Sequence, residues 1–133
     1  PYIEFDTLYG DAKYEVFAAF AIDVVQDTSF VYNQYVDMDE DTYNDYVAEV
    51  IRRSDVDSGI RPVYGEQLLT LSTCNNAFDT ARLVIVARRV RDGEDPNERI
   101  AGSIPNPNIK WPNVYYLWNE KTYNPDAPFA PYG

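Results

Sequence analysis

Histidine is absent from this 133-residue chain, and cysteine occurs once. The chain therefore lacks the side chain that most often acts as general base or metal ligand near neutral pH. A single cysteine cannot form an internal disulfide, so a small disulfide-stapled fold is excluded, while the compartment stays open. Cys74 is thus either a packing residue or a reactive one, and its surroundings must decide.

Basic residues are also scarce, with 11 Lys and Arg against 22 Asp and Glu and a formal charge of −11. Nucleic acid and anionic lipid surfaces are therefore disfavoured as partners, because phosphate would be repelled. No apolar run is long enough to cross a bilayer, and residues 1–4 do not resemble a signal peptide. Any membrane anchor of the parent protein is expected outside this chain.

The length and a hydrophobic fraction of 45% fit one folded core. Most prolines follow Asp95, where the composition changes from core-forming to turn-rich. We therefore expect a body at residues 1–92 and a Pro/Asn/aromatic-rich extension at 93–133. Trp111 and Trp118 in that extension predict that it packs on the body, because disordered segments are poor in aromatic residues.

Periodicity predicts a mainly β fold. Alternating residues indicate a hairpin, with strands at 3–8 and 13–22 around a turn at 9–12. Further strands are predicted at 30–36, 67–72 and 83–87, the last being a nearly continuous apolar run. Short links between them favour an antiparallel arrangement over a doubly wound α/β sheet.

One amphipathic helix interrupts the strands. Tyr43, Tyr46 and Val50 recur at helical spacing in residues 41–54, with Asp39 or Asp41 as the N-cap and arginines in the last turn. A short helix at 113–120 is also possible. The acidic run at 37–41 begins like a calcium loop, but it lacks the required glycine and glutamate, so a capped helix start is favoured.

Cys74 follows a predicted strand and precedes a polar turn, where a rigid scaffold can display a reactive group. Arg82 begins the next strand, and a hairpin-like return would bring its guanidinium near the sulfur if both side chains share a face. A cation there would favour the thiolate and could donate hydrogen bonds to an oxyanion. Alternatively, Arg82 pairs with Asp79 in a surface ion pair, and Cys74 only packs.

These residues resemble the signature of a known family. The run TLSTC at 70–74, followed by DTARLVIVA at 79–87, is similar to the motif of class B sortases. The segment at 5–17 is similar to a hairpin of that family, and a helix lies between late barrel strands there too. The resemblance covers about residues 1–90 and implies a partial, antiparallel, sortase-like β-barrel with one inserted helix.

The resemblance implies a cysteine transpeptidase that cleaves a sorting-signal peptide after threonine through a thioacyl intermediate. It then joins surface proteins to a peptidoglycan or pilin amine at the extracellular face of the Gram-positive membrane. Cys74 would be the nucleophile and Arg82 the oxyanion-stabilising or substrate-holding residue. Substrate contacts would come from Leu71, Ser72 and Thr73, and from the wall at 41–60, which ends at Ile60. No cofactor or metal is implied.

The sequence departs from the family at one essential group, the histidine that protonates the leaving amine. Tyr64 or a carboxylate could donate a proton, but neither stands in a matching context. The simplest interpretation is that the chain begins after that histidine and needs the missing N-terminal part of the domain, so that alone it is inactive. The alternative is a noncatalytic sortase-like binding module. The proline-rich stretch at 105–112 could also be a polyproline-type ligand for an aromatic groove on a partner protein, although packing on the body is the favoured interpretation.

Overall fold

The computed structural model describes residues 2–7, 10–75, 79–95 and 102–125. Its elements follow the chain in this order: β1 (Tyr2–Thr7), β2 (Gly10–Asp23), a 3-10 turn (Tyr32–Gln34), α1 (Glu40–Arg53), β3 (Val56–Asp57), β4 (Leu68–Cys74), β5 (Ala81–Arg89), β6 (Ile104–Pro105) and α2 (Asn113–Asn119). Within these residues the fold is mainly β with two short helices, as the sequence predicts.

Four strands form one antiparallel sheet in the order β1-β2-β5-β4. The sheet does not close, so within the described residues β1 and β4 are its edges. The long strands β2 and β5 lie at its centre. Within the apolar run of β5, Val84, Val86 and Ala87 are buried, while Leu83 and Ile85 are partly exposed. This open, antiparallel sheet with an inserted helix matches the partial barrel expected from the sequence.

Helix α1 covers one face of the sheet. Asp39 caps its N-terminus, accepting a hydrogen bond from the Thr42 amide at 2.8 Å, and Arg52 and Arg53 lie in its last turn. Its apolar stripe packs on β2 and β5. The resulting core consists of Phe17, Ala18, Phe20, Ile22, Phe30, Tyr43, Tyr46, Val47, Val50, Ile60, Val84 and Val86.

The strand predicted at 30–36 is wrong. That segment forms the 3-10 turn and irregular structure instead. Its aromatic residues pack against the core, with Phe30 inside it and Tyr32 and Tyr35 at its edge. The Phe30 ring lies 5.9 Å from Tyr46 and 5.5 Å from Tyr35, and its side chain is buried. The hairpin turn predicted at 9–12 is also too long, since Gly10 already belongs to β2; residue 9 lies outside the described residues.

Residues 102–125, here called the C-terminal segment, contact the end of α1. β6 pairs with β3, the Lys110 amide donates to the Arg52 carbonyl at 2.9 Å, and the Asn106 side chain donates to the Ser54 carbonyl at 2.7 Å. These donors satisfy carbonyls at and just beyond the helix end that have no intrahelical partner. The division of the chain at residue 92 stays a prediction. In the described parts of the chain, no helix has the length and apolar character needed to span a membrane.

Candidate functional site

The strand pair β4 and β5 carries the candidate site. Cys74 is the last residue of β4 and is directly opposite Arg82, the second residue of β5. Opposed residues in an antiparallel pair point to the same face, with Cβ atoms about 4.5–5.5 Å apart. The condition set by the sequence is therefore met, because both side chains share one face. Cys74 is exposed, so its sulfur is open to a ligand.

Arg82 is half-buried, and its Nη1 donates a hydrogen bond to the Ala81 carbonyl at 2.8 Å. Among the described residues it forms no ion pair, so the alternative pairing with Asp79 is not made there. A guanidinium has five N–H donors in a planar fork. The Ala81 carbonyl is its one hydrogen-bond acceptor among the described residues.

Ser72 lies two residues before Cys74 in β4, so its side chain points to the same face of the sheet. The Tyr32 hydroxyl is 2.7 Å from the Ser72 Oγ, and the Tyr46 hydroxyl is 2.9 Å from the Thr70 Oγ1. Two phenols thus border the strand that leads to Cys74. The sequence did not identify Tyr32 as a site residue, because its partner follows from the register of β4 and the local fold was predicted as a strand.

The side chains of the three other residues predicted to bind substrate do not join that of Cys74. Leu71 and Thr73 alternate to the opposite face, where they are paired with Ile85 and Leu83. Ile60 is 2% exposed and packs in the core under α1. The roles of these residues in substrate binding remain predictions.

Tyr64 does not lie near Cys74. Its ring is 5.7 Å from Tyr43, beside a cavity of about 790 Å³ that also includes Leu68, at the start of β4. The far end of that strand is about 20 Å away at the usual rise per residue. Tyr64 is therefore not placed to donate a proton to a group leaving from Cys74.

Asp23, the last residue of β2, holds the end of the β4–β5 strand pair that carries Cys74 and Arg82. Burial opposes the charge on this carboxylate, but hydrogen bonds from the Thr80 hydroxyl at 2.7 Å and the amides of Val25 and Gln26 prevail, and the pKa of Asp23 is lowered. Asp23 is thus an ionised anchor at the end of β2, and it binds Thr80, the residue directly before β5. It ties the start of that strand, and with it Arg82, to β2.

Comparisons with known proteins define the class. Sortase B of Staphylococcus aureus (strain NCTC 8325 / PS 47) is 30% identical over 91 residues, which cover 67% of this chain and 36% of that protein. The solved Staphylococcus aureus sortase B–substrate complex is 29% identical with a TM-score of 0.57, covering 69% of this chain and 42% of that one. Clostridium perfringens sortase B shares the fold, with a TM-score of 0.58 at 23% identity over 68% of this chain and 49% of that one. No family model matches the chain.

The open antiparallel sheet carries a cysteine opposite an arginine at one end. Together with the likeness in sequence and fold, this feature assigns the chain to a family of sortase-type cysteine transpeptidases. The chain belongs to the class B sortases and represents part of their domain. It spans less than half the length of the relatives it matches.

Proposed function

We propose that the protein containing this chain is a cysteine transpeptidase in which Cys74 is the nucleophile and Arg82 stabilises the oxyanion. The observation that supports this most directly is the pairing of Cys74 with Arg82 on one face at an exposed strand end. The substrate is a C-terminal sorting-signal peptide cleaved after threonine. The acceptor is an amine of peptidoglycan or of a pilin.

The reaction proceeds in two acyl transfers. The Cys74 thiolate attacks the threonine carbonyl carbon. The carbonyl oxygen becomes negatively charged and accepts hydrogen bonds from Arg82. The C–N bond then breaks, the departing amine takes up a proton, and the acyl group remains on sulfur as a thioester. An acceptor amine attacks this thioester and loses a proton, the C–S bond breaks, and the new amide and the Cys74 thiolate are released.

The proton for the departing amine must come from a group that this chain does not provide in a matching place. The sequence contains no histidine, and Tyr64 lies at the opposite end of β4. We propose that the N-terminal part of the domain supplies a histidine and completes the sheet. The 133-residue chain alone then has little or no transpeptidase activity.

A substrate class and a cellular setting complete the proposal. Staphylococcus aureus sortase B has been solved as a substrate complex, and we propose that the substrate bound by this chain is a peptide. We propose that the whole protein acts at the extracellular face of the Gram-positive membrane, held there by an N-terminal anchor outside this chain. Substrate would lie along the face that carries Ser72 and Cys74, with Tyr32 at its border.

The test uses the longest natural form of the protein that contains this chain, a labelled sorting-signal peptide and an amine acceptor. Cys74→Ala should abolish transfer while the circular dichroism spectrum and melting temperature stay unchanged, because the side chain is exposed. Lys121→Ala, at an exposed position of the C-terminal segment, is the control and should keep full activity. Transfer by the Cys74→Ala variant would contradict the assignment.

The lack of histidine also favours a second function, a noncatalytic module that binds sorting signals. Such a module would bind the peptide reversibly, and the parent protein would lack a histidine in the preceding part of the domain. Calorimetric binding without any covalent adduct on Cys74 would identify it.

A further inference from the structure

Asp27 is a buried carboxylate on which three parts of the chain converge. It is 2% exposed, and Oδ2 accepts the amide of Asp23 at the end of β2 at 2.8 Å. Oδ1 accepts the Asn113 amide at 3.1 Å and the Arg53 guanidinium of α1 at 3.4 Å. A buried charge requires such partners to offset its lost hydration. Asp27 therefore fixes β2, α1 and the C-terminal segment relative to one another.

A short chain of hydrogen bonds connects this point to the candidate site. Asp23, whose amide binds Asp27, accepts the Thr80 hydroxyl at 2.7 Å, and the Val24 amide binds the Thr80 carbonyl at 3.2 Å. Thr80 directly precedes β5. The next residues are Ala81 and then Arg82, opposite Cys74. Hydrogen bonds thus connect the C-terminal segment to the end of the β4–β5 strand pair.

The C-terminal segment is itself attached to α1 and to the loop after β2. The Lys110 ammonium lies 2.6 Å from Glu49 of α1, and Ile109 is buried. The Asn113 side chain also donates to the Gln26 carbonyl at 2.9 Å. The segment follows residue 90, where the sequence resemblance to class B sortases ends.

We propose that the C-terminal segment is an intramolecular positioning element for the transpeptidation site, with Asn113 and Asp27 as its positioning residues. It holds the start of β5 so that Arg82 stays opposite Cys74 in the strand pair. The catalytic part of this inference rests on the proposed function. Small displacements of reacting groups cost large factors in rate, which is why a support distant from the sulfur would matter.

Two substitutions at Asn113 isolate the contact. Asn113→Pro removes the amide that binds Asp27, and proline is tolerated because Asn113 is the first residue of α2 and Pro112 before it is extended, with ψ 148°. Asn113→Ala keeps that amide and loses only the side-chain bond to Gln26. The difference between the two variants therefore measures the amide contact with Asp27.

Both variants are made in the longest natural form of the protein. We expect Asn113→Pro to lower kcat for peptide transfer by roughly 10- to 100-fold relative to Asn113→Ala, with KM within about twofold. Amide hydrogen exchange at residues 80–82 should be faster in the proline variant only. Equal kcat and equal exchange in the two variants would overturn the proposal.

The exchange measurement separates this inference from the proposed function. If the wild-type protein transfers no peptide, the proposed function fails, and the exchange rates at 80–82 still decide whether the segment positions the hairpin. If Asn113→Pro does not fold, Asp27→Asn replaces it, since it keeps the shape and removes the charge. Unchanged exchange at 80–82 in a folded Asp27→Asn protein would also refute the proposal.

Discussion

Replacing Arg82 separates a catalytic role from a structural one. In the described residues Arg82 has no carboxylate partner, and its one hydrogen bond is to the Ala81 carbonyl. Arg82→Ala should therefore change the free energy of unfolding by less than about 1 kcal/mol, since a half-exposed residue without an ion pair contributes little. Its effect on catalysis should be much larger.

The size of that effect follows from the charge it stabilises. Removal of an oxyanion donor typically lowers kcat by about 10²- to 10³-fold, or about 2.7–4 kcal/mol. We expect Arg82→Ala to lower kcat by the same factor, because the substitution removes the whole guanidinium opposite Cys74. Arg82→Lys keeps the charge but not the planar fork, so we expect an intermediate loss.

The assay is steady-state transfer of a sorting-signal peptide by the longest natural form of the protein, with urea unfolding of the same samples. A kcat within about twofold of wild type in Arg82→Ala would refute the oxyanion role. A loss of activity that parallels a loss of folding free energy would assign Arg82 a structural role instead.

Three further outcomes are expected. Tyr32→Phe removes the hydroxyl that contacts Ser72 and should raise KM for the peptide by a few-fold, while costing about 1 kcal/mol or less in urea unfolding; an unchanged KM would remove Tyr32 from the groove. Val50→Ala leaves a cavity under α1, where Val50 is fully buried, and should destabilise the fold by about 2–3 kcal/mol in the same assay. Burial opposes the charge of Glu49, but hydrogen bonds from Lys110 and Arg53 outweigh it and lower the pKa of Glu49. Ionised Glu49 therefore stabilises the fold fully above about pH 4.5, and this stabilisation of the fold is lost as the pH falls. Lys110→Met should weaken that acid dependence in urea titrations from pH 7 to 3, and an identical dependence would contradict the assignment.

The sequence was informative where a single periodicity governed the local structure. The helical spacing of Tyr43, Tyr46 and Val50 predicted α1, and an aspartate supplied its cap at Asp39. The apolar run of β5 and the strand before Cys74 were predicted for the same reason. The opposition of Cys74 and Arg82 was anticipated only conditionally, because the register of two strands depends on the loop between them.

Long-range side-chain bonds were beyond the reach of such patterns. The strand predicted at 30–36 failed because β-forming aromatic residues there pack on α1, and tertiary contacts override intrinsic propensity. The contact of Tyr32 with Ser72 joins residues far apart in the chain. The bonds of Asn106 and Asn113 to α1 and Gln26 likewise carry no local signal, since asparagine in a proline-rich stretch usually indicates only a turn.

The thioacyl intermediate is the most direct test of Cys74 as a nucleophile. The longest natural form of the protein is mixed with a sorting-signal peptide without an acceptor amine, quenched in acid, digested and analysed by mass spectrometry. We predict that the peptide fragment ending in threonine is attached to Cys74, that an added amine removes it, and that Cys74→Ala never acquires it. Transfer of the peptide to the amine with no adduct on Cys74 at any time would contradict the account.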